Sequence, residues 1–136
     1  MNEPVRRGTR IAHIGIAVRA LDELKPLYRD ILGMPEVTLD DADGAAIAGL
    51  AAGESLIELL EAKSEDSPIG KFVAKRGPGI HHVCFAVDDL DDTLVKCREA
   101  GLRLIDETPR IGAEGKRIAF LHPSATGGVL VELSEF

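Results

Sequence analysis

Large apolar residues alternate with small or polar ones along residues 10–18 and again along 80–87, the period of a strand that buries one face. Between 21 and 32 the spacing changes: Leu21, Leu24, Leu27, Ile31 and Leu32 recur at helical intervals, and Gly33 is a helix stop. Strands are predicted at 36–40, 45–51 and 55–61, separated by turns at 41–44 and 53–54. Ser67 and Pro68 open a short helix over 69–76, a good N-cap followed by a residue suited to the first helical position. Gly77-Pro78-Gly79 ends it. After the strand at 80–87, the spacing of Leu90, Leu94 and Cys97 predicts a helix over 89–100 that Gly101 closes. Strands at 102–106, 116–121 and 128–134 complete the chain, with loops at 109–115 and 122–127.

The two halves read alike, each β-α-β-β-β, and they share residues as well as elements. His-Ile-Gly-Ile-Ala-Val begins at His13 and His-Val-Cys-Phe-Ala-Val at His82, 69 residues later. Each is answered by a carboxylate inside an apolar strand, Glu58 and Glu132, 74 residues apart. The fold class is therefore α+β, with two tandem βαβββ modules. Neither module covers its own sheet, so both pack as one domain over 10–136. Its parts are module one at about 10–66, a linker helix at about 67–77 and module two at about 78–136, after a tail at 1–9.

His13 shares a strand face with Gly15 and Ala17, and His82 with Cys84 and Ala86. Small neighbours leave a hollow around each imidazole, as a ligand site requires. Glu58 and Glu132 interrupt Leu/Ile/Val runs, where an unpaired charge would cost several kcal/mol. Two imidazoles and two carboxylates form a mixed N/O set suited to a divalent Co, Mn, Zn, Ni or Fe ion. His81 alternates to the other side of its strand and is not expected to be a ligand. His122 stands where a strand enters a turn, either a turn residue or one facing a ligand. The acidic run Asp88, Asp89, Asp91 and Asp92 suits a helix start and needs no further role.

Composition narrows the class. The 136 residues carry a net charge of −7 with no Trp and one Tyr, so a nucleic-acid partner, which needs a basic groove and stacking rings, is not expected. No stretch is apolar for long enough to span a membrane. Cys84 and Cys97 lie outside any Cys-x-x-Cys motif and read as buried free thiols, which with the absence of a signal-like start points to the cytoplasm.

The duplicated βαβββ pattern with its paired His and Glu resembles the vicinal oxygen chelate superfamily, and within it the methylmalonyl-CoA epimerase family. The resemblance runs from Ile11 to the end and is carried by Ser67-Pro-Ile, Gly79-Ile-His-His, Phe120-Leu-His-Pro and Gly127-Gly-Val-Leu-Val-Glu-Leu133. It implies one curved mixed sheet enclosing a metal-binding cleft. It implies His13, Glu58, His82 and Glu132 as metal ligands, the place of Glu58 being Gln in some relatives. The implied cofactor is one divalent ion, cobalt first, with Mn, Ni, Zn and Mg as alternatives. The implied partner is an acyl-CoA substrate, and the implied assembly a homodimer. The implied reaction is epimerisation of (R)- and (S)-methylmalonyl-CoA through a metal-stabilised enolate, with Glu132 as the base that loosens and reaches the α-carbon. Some relatives carry another Glu shortly after Gln-Gly, but the matching stretch Asp43-Gly-Ala-Ala-Ile47 has isoleucine there. Lys71, Lys75, Arg76, Arg110, Lys116 and Arg117 are the cations within reach of CoA phosphates, none singled out. The same scaffold also serves glyoxalase-like lyases acting on glutathione hemithioacetals, ring-cleaving dioxygenases and non-enzymatic binding proteins.

Overall fold

The computed structural model describes residues 8–136, so most of the expected 1–9 tail lies outside the described residues. The first half runs β1 (Arg10–Val18), α1 (Leu21–Lys25), β2 (Glu36–Val37), β3 (Ala45–Ala52) and β4 (Ser55–Ala62). After α2 (Pro68–Arg76), the second runs β5 (Gly79–Val87), α3 (Leu90–Glu99), β6 (Arg110–Ile111), β7 (Arg117–Leu121) and β8 (Val131–Glu135). The strands form one sheet in the order β2-β3-β4-β1-β5-β8-β7-β6, a curled half-barrel with mixed pairing. Each half therefore contributes four contiguous strands. β1 and β5 meet antiparallel at the seam, flanked by parallel partners β4 and β8.

Each module buries its large side chains beneath its own helix. Val18, Leu50 and Leu59 pack with Leu21, Leu24 and Tyr28 on one side of the seam. Leu90, Leu94 and Cys97 of α3 pack with Val87, Ala119, Leu121 and Leu133 on the other. The linker helix α2 instead inserts Ile69 against Ala17, Ala45 and Leu60, so it closes one end of the face that carries the histidines. Its N-cap is Ser67, whose hydroxyl accepts from the Gly70 N–H at 3.1 Å. Asp89 caps α3 in the same way, accepting from the Asp92 N–H at 2.9 Å.

Three expected elements differ. The helix expected over 21–32 is α-helical only to Lys25, and Pro26–Ile31 forms a π-helical turn. Pro26 has no N–H to give and crowds the preceding turn, so the chain widens, as in the Leu32 N–H to Leu27 carbonyl bond at 2.9 Å. The strand at 36–40 shortens to Glu36–Val37 because the Asp40 N–H leaves the sheet for the Ala113 carbonyl, 3.2 Å away. The strand expected at 102–106 is absent. Leu104 is buried and makes a single bridge to Leu121, and the fourth strand of that half is Arg110–Ile111, inside the expected loop. Asp106 explains the displacement, since its carboxylate takes the Phe120 N–H at 2.8 Å in place of a backbone partner.

Candidate metal centre and active site

Strand register gathers the four residues into two adjacent rows. Gly15 pairs with Glu58 on one side and His82 on the other; His13 pairs with Cys84, which pairs with Glu132. A half-turn about the seam exchanges the rows: Glu58 with Glu132, His82 with His13, Gly15 with Cys84. All four candidates are buried, His13 at 3% exposure, Glu58 at 2%, His82 at 5% and Glu132 at 5%. Gly15 provides the space, because a Cβ there would lie 2.2 Å from Cε1 of His82.

Three donor atoms form a near-equilateral triangle. His13 Nε2, His82 Nε2 and Glu132 Oε1 are each 3.0 Å from the other two. Adjacent ligands of an octahedral ion with bonds of about 2.1 Å lie about 3.0 Å apart, so the triangle matches one face of such a site. A proton satisfies only one edge of a triangle, whereas a cation engages all three corners. The outer nitrogens face away. His82 Nδ1 lies 2.9 Å from His81 Nδ1, and His13 Nδ1 lies 2.6 Å from Glu114 Oε2. Glu58 stands on this outer side, its Oε2 3.0 Å from His13 Nδ1 but off the direction of a hydrogen bond. Among the described residues no N–H or hydroxyl donates to that fully buried oxygen, which is costly unless a cation, or a proton shared with Glu114, takes it.

The electrostatics agree. Burial opposes charge on His13, yet hydrogen bonds to Cys84, Glu114 and Glu132 and the nearby charge of Glu58 push its pKa up to about 12. Burial raises Glu58 to about 8, against the pull of His13 and helped by a hydrogen bond shared with Glu114 and by repulsion from Glu114 and Glu132. Burial also works against Glu132, but hydrogen bonds from His13 and His82 hold it at about 2. Without a cation the cluster relies on protons held by His13 and Glu58 to offset the charges of Glu114 and Glu132, and a divalent ion would take the place of those protons. Cys84, fully buried, lies within 4.8 Å reach of His13 and Glu132 through their donor atoms.

Glu114 is the residue that sequence reasoning missed. It sits in the short turn between β6 and β7, 101 positions from the histidine it touches, and no local periodicity marks it. His81 departs from strict alternation. A bulge leaves it unpaired where Gly15 faces His82 and Ile16 faces Ile80, and its ring lies edge-on to both His82 and Phe72. His122 is a turn residue, its Nδ1 accepting from the Ser124 N–H at 3.0 Å.

The cluster opens into a small chamber of about 50 Å³, lined by Ile47, Leu60, Ile69, Ile118 and Phe120 among others. A larger cleft of about 450 Å³ lies beyond His81, lined by Lys71, Phe72, Lys75, Arg76, Ile80 and Val129. The candidate cations now separate. Arg110 is tied to Asp43 and Asp106, and Arg117 to Asp91 and Glu135, whereas Lys71 and Lys75 have no carboxylate partner among the described residues. Arg76 lies over the ring of Phe72, 5.7 Å away, with no carboxylate partner among the described residues. No described helix is long and apolar enough to cross a membrane.

Residues 12–120 match the Glyoxalase/Bleomycin resistance protein/Dioxygenase superfamily. The chain is 38% identical over 130 residues to an ethylmalonyl-CoA/methylmalonyl-CoA epimerase of Cereibacter sphaeroides, covering 93% of this chain and 97% of that one. It superposes on the crystal structure of methylmalonyl-CoA epimerase from Mycobacterium tuberculosis with a TM-score of 0.88, at 40% identity and 99% and 91% coverage. A methylmalonyl-CoA epimerase in complex with methylmalonyl-CoA and NH4+ superposes with a TM-score of 0.88, at 39% identity and 93% and 94% coverage. The duplicated sheet, the buried His/Glu cluster at its seam and these similarities lead to one conclusion: the chain belongs to the methylmalonyl-CoA epimerase family of the glyoxalase/bleomycin resistance protein/dioxygenase superfamily, and is an enzyme of the epimerase class.

Proposed function

We propose that this protein interconverts (R)- and (S)-methylmalonyl-CoA by taking the α-proton from one side of the carbon and returning it to the other. The observation that carries this reading is the triangle of His13 Nε2, His82 Nε2 and Glu132 Oε1, buried at the seam beside a cleft rich in uncommitted cations. His13, His82 and Glu132 would hold a divalent ion, with Glu58 the fourth candidate ligand of the cluster. Cobalt is the first choice, with Mn, Ni, Zn and Mg as alternatives. When bound, the ion supplies Lewis acidity toward the thioester and carboxylate oxygens that flank the α-carbon, where charge develops as the proton leaves.

The chain's own groups do the rest. Glu132 is kept ionised by its two imidazole partners; loosening from both would raise its basicity toward that of an ordinary carboxylate and let it accept a proton. Leu60, Ile69, Ile118 and Phe120 keep bulk water from the reacting carbon. Ile47 is part of the same apolar wall and takes no proton. Lys71, Lys75 and Arg76 meet the CoA phosphates along α2, and this local positive patch overcomes the net charge of −7. Replacing both Lys71 and Lys75 with glutamate is expected to raise KM for methylmalonyl-CoA by about tenfold or more with a smaller change in kcat, since these contacts lie far from the chemistry. Steady-state kinetics at low ionic strength measures that split.

The deciding experiment is exchange. In D2O, cobalt-loaded protein is expected to place deuterium at the α-carbon of methylmalonyl-CoA and to convert either epimer into the mixture, followed by NMR and chiral coupling assays. Folded, metal-loaded protein that exchanges no α-hydrogen overturns the proposal.

A further inference from the structure

Both inner nitrogens of the cluster, His13 Nε2 and His82 Nε2, face the donor triangle, and both outer nitrogens are engaged elsewhere. The outer partners differ in kind. His82 Nδ1 meets another imidazole, His81, while His13 Nδ1 meets a carboxylate from the opposite module. An imidazole that offers Nε2 to a cation must keep its remaining proton on Nδ1, and that proton needs an acceptor in the ring plane. We propose that Glu114 is a positioning residue: its Oε2, 2.6 Å from His13 Nδ1, accepts that proton's hydrogen bond and aims the Nε2 lone pair at the triangle.

The distance is at the short end for a charge-assisted bond. Glu58 is the nearest rival, but its Oε2 is farther, at 3.0 Å, and lies off the hydrogen-bonding direction. Glu114 is also held in place from both sides. Its turn is closed by the Gly112 N–H to Lys116 carbonyl bond at 2.9 Å and the Gly115 N–H to Gly112 carbonyl bond at 3.0 Å. The Asp40 N–H fastens the turn to module one through the Ala113 carbonyl. Gly115 takes a φ of +74°, a left-handed conformation that lets the chain reverse directly after Glu114. Glu114 thus reaches across the mouth of the chamber on a stiff support, where a flexible loop would leave the imidazole free to turn.

This role rests on the metal reading above, and its test separates the two. In zinc-loaded wild-type protein, nitrogen-15 NMR is expected to show His13 protonated at Nδ1 and metal-bound through Nε2, with the Nδ1 proton far downfield. Glu114→Ala is expected to lose that resonance and to weaken Co2+ binding by about 10–100-fold, read by chelator competition. Glu114→Gln keeps an acceptor oxygen and is expected to recover most of the affinity. Wild-type affinity in folded Glu114→Ala overturns the positioning role while leaving the metal reading intact. So does a zinc-loaded wild-type spectrum with no proton on His13 Nδ1, which decides the matter even if the variants do not fold. Wild-type protein that binds neither Zn2+ nor Co2+ removes the metal reading and this role with it.

Discussion

Glu132→Gln is expected to cut epimerase turnover by about 10²–10⁴-fold, the range for losing a positioned proton carrier. Glutamine keeps the size of the side chain but carries no charge and accepts no α-proton. The damage has a second source. Glu132 Oε1 is a corner of the donor triangle, 3.0 Å from each imidazole, and an amide oxygen is a weaker partner for a cation than a carboxylate. The two sources are separable. If Glu132 serves mainly as a ligand, Co2+ affinity and turnover fall together, and excess metal restores most of the rate. If it also moves the proton, the rate stays low at saturating Co2+. Circular dichroism and a melting curve establish that the variant is folded at the assay temperature. Near-wild-type turnover by such a sample would remove Glu132 from the chemistry altogether.

How far the sequence anticipates the structure depends on range. The seam strands were legible because alternation is a local property, and the repeat located the same face twice. His13, Glu58, His82 and Glu132 emerged from that repeat, and all four lie in one buried cluster. What the spacing could not supply was arrangement: Glu58 stands to one side, against His13 Nδ1, and the triangle leaves it out. Glu114 was illegible for a related reason, since its proposed role depends on a contact across modules from a turn, where no period marks any residue. Leu104 misled in the opposite direction. Its burial is real, but a neighbouring carboxylate, Asp106, takes the backbone bond that a strand would have used. His81 escaped alternation because one extra residue in β5 shifts the register, and nothing in the residue types around it announces a bulge.

Gly15→Ala should be nearly as damaging as loss of Glu132, although it removes no functional group. The added methyl carbon would stand 2.2 Å from His82 Cε1, 2.5 Å from Nδ1 and 2.9 Å from Nε2. The ring must therefore move by an ångström or so, and displacement on that scale at a catalytic centre costs about 10²-fold. Overpacking adds about 1–3 kcal/mol of destabilisation. The matched control is Cys84→Ala, at the place a half-turn relates to Gly15. There a side chain already exists and becomes smaller, so His82 is not crowded, and the expected loss is the smaller one from removing the Cys84 hydrogen bond to His13. Comparable losses from both substitutions, measured as Co2+ affinity and turnover in folded protein, would show that crowding of His82 is not the cause.

The pairing of β1 with β5 has a geometric corollary. A rotation by 180° carries the strand position of Glu58 onto that of Glu132, and it also interchanges the upper and lower sides of any trigonal carbon whose plane contains the axis. A repeated module thus brings one acidic position to each side of the seam, even where, as here, the two side chains settle differently. A scaffold with that symmetry is inherently even-handed toward the two configurations of a stereocentre, and what remains for the rest of the chain is to break the tie where chemistry demands it.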